Sequence, residues 1–218
     1  MAKARYRLPF SAQEVEELMR EAYSAEVCKR NAEPQQTAET QVVLASIAKW
    51  ITEPQAKPAL ILQGNKGNGK TTTARSVATL FSSLSNNATR YLKENRWQMR
   101  KEDVMLYEHL EYAPQWVFVT AQELVDMATR QPERYEVIKT SPCLIIDEMG
   151  LEPTFAKVYG TEITPIADVL AHRYNIMLPT IITTNLNNEE IQQKYGARIE
   201  DRLREICGRL VYRNPSFR

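Results

Sequence analysis

The chain has 218 residues, 43% of them hydrophobic and 25% charged, and its formal net charge is +1. Those values describe an ordinary soluble globular chain with one good-sized domain and exclude a strongly basic nucleic-acid protein, although local basic patches remain possible. No apolar run nears the ~20 residues needed to span a bilayer, and the opening MAKARYRLPF has no apolar stretch of the kind a secretory leader carries.

In chain order, residues 1–36 read as a short N-terminal helical extension. Ser11 and Glu14 fit a capping box, in which each side chain satisfies an orphan backbone donor. Val15, Leu18, Met19 and Ala22 follow at helical spacing, and Asn31 to Pro34 ends the helix as a linker. A second helix is expected from near Thr37, with Leu44, Ile47, Ala48 and Ile51 as its apolar stripe. Beyond Pro58 the pattern alternates strand and helix. Strands are expected at Ala59–Gln63, Trp116–Thr120, Cys143–Asp147 and Thr180–Thr184, with helices such as Gln122–Arg130 and Pro165–Ile176 between them. The strands are near-continuous apolar runs, which indicates a parallel sheet covered on both faces. A fifth run, about Arg209–Arg213, alternates and suits an edge. Residues 86–115 interrupt the rhythm. They are long, charged and rich in aromatics, and read as an insertion with helices of its own.

The stretch QGNKGNGKTT follows the first strand. It fits G-x-x-x-x-G-K-[ST], with Gly64, Asn65, Lys66, Gly67, Asn68, Gly69, Lys70, Thr71 and Thr72 as candidate nucleotide contacts. Glycines let the backbone curl so that successive N–H groups face phosphate oxygens, and the next helix adds its positive end. Lys70 would bring a full charge to the phosphates and Thr71 a hydroxyl to Mg²⁺. CLIIDEMG supplies carboxylates at the end of a buried strand, where ligands bind in open α/β sheets. Asp147 is a magnesium ligand candidate and Glu148 a candidate to polarise the attacking water. TIITTNL puts Asn185 at another strand end, either on the γ-phosphate or as a simple helix cap. In YGARIEDRLREICGR, Arg198 and Arg202 share one helix face. They are either a solvated surface or a source of an arginine finger for a neighbouring subunit. Cys28, Cys143 and Cys207 are scattered, without a C-x-x-C pair, and are expected as reduced, buried thiols of a cytoplasmic protein. His109 and His172 stand alone and do not suggest a metal site.

Taken in order, GNKGNGKTT, LIIDEMG, DVLAHRYNIMLPTIITTNL and YGARIEDRLRE resemble the AAA+ ATPases, and within them the bacterial helicase loaders of DnaC and DnaI type together with the transposition helper IstB. The resemblance covers about residues 37–218. It implies an α/β P-loop NTPase sandwich with a central parallel five-stranded sheet and no C-terminal lid domain. It also implies an ATPase using ATP and Mg²⁺, with Asp147 and Glu148 as the metal-binding and hydrolytic pair. Asn185 corresponds to the sensor-one residue, Arg202 to the best candidate finger, and Arg198 to the second. NPSFR is similar to the short tail after the last strand of loaders, and Arg218 would take a sensor-two-like place. The implied partners are further copies of the chain in the ATP state, single-stranded DNA and a replicative helicase, with no membrane. The 1–36 extension is shorter than the helicase-binding domain of typical loaders. An IstB-like helper working with a transposase on duplex DNA, and a nucleotide-gated scaffold with negligible hydrolysis, are the alternatives. Arg90, Lys93, Arg96, Arg100 and Lys101, interleaved with Tyr91 and Trp97, fit either a solvated surface or a grip on single strands.

Overall fold

The apolar runs become β1 (Ala59–Gly64), β2 (Trp116–Thr120), β3 (Cys143–Met149), the short β4 (Ala156–Val158) and β5 (Thr161–Ile163), β6 (Thr180–Thr184) and β7 (Cys207–Tyr212). The structure is a computed structural model and describes residues 6–35 and 37–213. The Arg218 and NPSFR readings lie outside the described residues. Five strands form a parallel sheet in the order β2-β3-β6-β1-β7, and β4 and β5 form a separate antiparallel hairpin. In register, Ala59 to Gln63 run beside Thr180 to Thr184 on one flank and beside Cys207 to Val211 on the other. The fifth strand is therefore at an edge, and it starts two residues before the alternating run.

The helices are α1 (Ala12–Cys28), α2 (Ala38–Thr52), α3 (Lys70–Asn95), α4 (Lys101–Glu111), α5 (Ala121–Arg130), α6 (Pro132–Lys139), α7 (Pro165–Asn175), α8 (Asn188–Tyr195) and α9 (Ala197–Ile206). Two compact units divide the described chain. One holds residues 57–74 and 117–213, and the other holds 6–56 and 75–116.

In the first unit, Ile61, Leu144, Ile146 and Ile182 pack in one core with Leu124 of α5, Val169 of α7 and Leu203 of α9. The residues that alternate with them, Leu60, Leu62, Ile145 and Ile181, are equally buried. That double burial is why these strands read as unbroken apolar runs. Arg173 of α7 is 1% exposed and donates to the carbonyls of Lys139, Ser141 and Pro179 and to Thr180 Oγ1. It thereby satisfies backbone groups just ahead of β3 and at the start of β6.

In the second unit, the Ser11–Glu14 capping box opens α1, and Thr37 caps α2. Val15, Met19 and Ala22 are buried, as are Leu44, Ile47, Ala48 and Ile51, while Leu18 is half-buried. Phe81 and Trp50 pack against Trp116, and Thr79 donates to the buried Glu26 carboxylate at 2.6 Å. Residues 86–95 continue α3, with Ala88 and Leu92 buried, and α4 follows after a 3₁₀ turn. Cys28 is exposed, which corrects the expectation that all three thiols are buried; Cys143 and Cys207 are buried. The exposed His109 meets the Arg7 carbonyl, whereas His172 Nε2 is buried without a hydrogen-bond partner. Among the described residues, no cluster of three or more His, Cys, Asp or Glu could hold a metal, and no helix is long and apolar enough to cross a membrane.

Candidate functional site

The phosphate-loop motif occupies the bend between β1 and α3. Gly64 has φ +152°, and a Cβ there would lie 2.6 Å from Asn68 Nδ2 and 2.8 Å from the Tyr212 carbonyl. Only glycine fits so close an approach. Asn68 is 1% exposed, and its Nδ2 has no hydrogen-bond partner. Lys70, the first residue of α3, is buried. Its Nζ donates to the carbonyls of Gly64 and Asn65 at 2.7 Å each and to Asn68 Oδ1 at 3.1 Å. Burial lowers its pKa to about 8, and the negative charges of Asp147 and Glu148 partly oppose that shift. Thr73 closes the first turn of α3 onto the Gly69 carbonyl through both its N–H and its hydroxyl.

Thr71 and Asp147 meet across the sheet end, with Thr71 Oγ1 donating to Asp147 Oδ1 at 2.9 Å. Asp147 is 3% exposed, and its Oδ1 also accepts from Thr183 Oγ1 at 2.6 Å. The pairing of β3 with β6 slips here. Ile146 faces Ile182, but Met149 faces Thr184, so Asp147 and Glu148 both stand against Thr183 alone. This is a β-bulge, a device that re-aims side chains beside functional sites. Glu148 takes φ +58°, donates its N–H to Thr183 Oγ1 at 2.9 Å, and holds its side chain exposed. The bulge thus keeps one carboxylate inside, against the loop threonine, and turns the next one out.

Asn185 follows β6 and is exposed. It lines a cleft of about 720 Å³ shared with Gln63, Gly64, Asn65 and the start of α8. The strand ends therefore bring Gly64 and Asn65, the first two residues of the phosphate loop, to one cleft with Asn185, and Thr71 and Asp147 into contact. Lys66 is exposed, and Thr72 is buried. The arginines are elsewhere. Arg202 stacks on Tyr174 of α7, with its guanidinium 4.9 Å from the ring centroid, and Arg198 is exposed. Among the described residues, neither bonds to Thr71, Asp147, Glu148 or Asn185. One residue in contact with Asp147 escapes a reading of motifs alone: Thr183 is legible only as a polar residue inside a buried strand.

The donor set suits a hard cation, since Thr71 and Asp147 offer oxygens only. The glycine-lined bend with a lysine at its helix start suits a polyphosphate.

No protein-family model and no curated protein matches the chain. Solved structures do. The crystal structure of the DnaC helicase loader is similar at TM-score 0.56, with 17% identity over 83% of this chain and 93% of that one. A candidate primosome component from Streptococcus pyogenes serotype M3 is similar at TM-score 0.55, with 18% identity over 84% of each chain. The crystal structure of DnaI is similar at TM-score 0.50, with 18% identity over all of this chain and 92% of that one.

Proposed function

The chain has a P-loop AAA+ fold of the DnaC and DnaI type, and from that fold and its site we propose an ATP-binding and ATP-hydrolysing switch that acts in DNA replication as a helicase-loader-like factor. The observation that carries this reading is the Thr71–Asp147 hydrogen bond, made beside the buried Lys70 and one residue before the outward Glu148. In this reading residues 64–72 cradle the phosphates, with Lys70 as their charge partner. Thr71 and Asp147 would hold Mg²⁺, which supplies charge neutralisation at the transferred phosphoryl group. Glu148 orients and polarises the attacking water, and Asn185 donates its amide to the γ-phosphate. Arg202, with Arg198 second, reaches the nucleotide of a neighbouring copy, in keeping with neither bonding, among the described residues, to Thr71, Asp147, Glu148 or Asn185. The functional division is an N-terminal extension over 1–36 and an ATPase domain over 37–218.

The test is Mg-ATP turnover by the full chain alone and with single-stranded DNA, duplex DNA or the replicative helicase of its host. Turnover that rises with single strands or helicase supports the reading. Stimulation by duplex DNA alone moves the assignment to a transposition helper. Tight ATP binding without turnover under every condition leaves a nucleotide-gated scaffold.

A further inference from the structure

The turn that follows Glu148 is fastened at several points to one later segment, residues 184–195. Thr184 Oγ1 donates to the Met149 carbonyl at 2.6 Å. Gly150 has φ +114°, and a Cβ there would meet the Leu186 side chain at 2.7 Å. Gly150 N–H donates to Glu152 Oε2 at 2.8 Å, while Tyr195 Oη–H donates to Glu152 Oε1. Lys194 Nζ donates to the carbonyls of Gly150 at 2.7 Å and Glu152 at 2.5 Å, and stands 3.9 Å from Glu152 Oε1. The Glu152 side chain is 0% exposed. Burial and the neighbouring carboxylate push the Tyr195 hydroxyl pKa up, so its proton stays in place.

A buried carboxylate with both oxygens engaged is held in one position. Here it grips the backbone two residues beyond a glutamate that itself sits in the left-handed region, a conformation that persists only where the surroundings over-determine it. The same segment begins beside Asn185 and ends at Gly196, the residue that opens the arginine helix α9. The geometry points to Glu152 as a positioning residue that, through Tyr195 and Lys194, fixes the backbone of Glu148 and links it to the stretch between Asn185 and α9. This rests on the reading of Glu148 as the group that activates water. Glu152 does not touch the reacting atoms; it sets where Glu148 stands.

Full-length wild type, Glu152→Met and Tyr195→Phe are compared for Mg-ATP turnover, for affinity toward a fluorescent ATP analogue, and for amide exchange at residues 148–152. The expected result for Glu152→Met is a loss of kcat of about tenfold or more, because small displacements of a reacting group are costly. Analogue affinity stays within about twofold, because the phosphate loop is untouched, and the Gly150 amide exchanges faster. Tyr195→Phe, which deletes one hydroxyl, shows the same pattern more weakly and carries the test if Glu152→Met does not fold. Adding Tyr195→Phe to Glu152→Met costs little more, because both changes act through one contact. Turnover at the wild-type level in Glu152→Met overturns the inference, as does a loss of affinity that matches the loss of turnover. A wild type that turns over no ATP defeats the proposed function instead. The fastening is then decided by exchange alone, and unchanged exchange at Gly150 overturns it.

Discussion

Lys70 and Glu148 separate binding from chemistry. Lys70→Ala removes the buried positive charge of the phosphate loop, leaving only the exposed Lys66, and ATP affinity is expected to fall by two orders of magnitude or more in equilibrium titration, in line with about 1.5–3 kcal/mol per charged hydrogen bond. Glu148→Gln keeps the side-chain shape but loses the base, so the analogue still binds while turnover drops by about 10²-fold or more. Normal ATP binding by Lys70→Ala would refute the loop as the nucleotide site. A second residue-scale expectation concerns Cys207, whose pKa burial pushes up to about 12 from an ordinary 9. Between those values the folded state holds the proton more firmly than the unfolded state. The thiol therefore contributes stability that is fully present below pH 9 and is lost as pH rises toward 12. Urea midpoints should fall across that window, and Cys207→Ala should flatten the fall. At pH 8, iodoacetamide should label Cys28 rapidly and spare the two buried thiols.

At the scale of elements, Arg173 is a fastening that ordinary pattern reading does not reveal. Removing it leaves the carbonyls of Lys139 and Ser141 and the Thr180 hydroxyl without this donor, while the Pro179 carbonyl keeps only the Leu144 N–H. Arg173→Met should cost about 3 kcal/mol in urea denaturation, at roughly 1 kcal/mol or more per abandoned buried acceptor. A loss under about 1 kcal/mol would show that water replaces it. The strands themselves were legible because a sheet buried on both faces must be apolar throughout, and the loop motif was legible because phosphate binding demands its spacing. The bulge was not. Hydrophobic pattern reports which face a residue takes, not which partner it pairs with, so the slip that leaves Asp147 and Glu148 both against Thr183 carries no periodic mark. The reach of α3 was hidden differently. Residues 86–95 look like a charged insertion by composition, yet Phe81, Ser85, Ala88 and Leu92 are all buried at helical spacing, and that spacing is the signal that composition masks. Glu152, Lys194 and Tyr195 meet only through the fold, across more than forty residues of chain.

For the whole molecule, the proposal requires more than one copy. Sedimentation with Mg-ATP should show assembly that is absent without nucleotide, and Glu148→Gln should hold the assembled state longer. Arg202→Ala should assemble but turn over poorly, and its defect should vanish on dilution to monomers, where wild type is slow as well. A defect of equal size in dilute monomers would count against a role across subunits. The left-handed backbone of Glu148 has a practical corollary for anyone seeking a hardier version of this chain. Glycine adopts φ +58° without the roughly 1–2 kcal/mol of crowding that a side chain meets there. A library sorted only for heat resistance would therefore drift toward glycine at 148, and the winners would survive the oven while having discarded their chemistry.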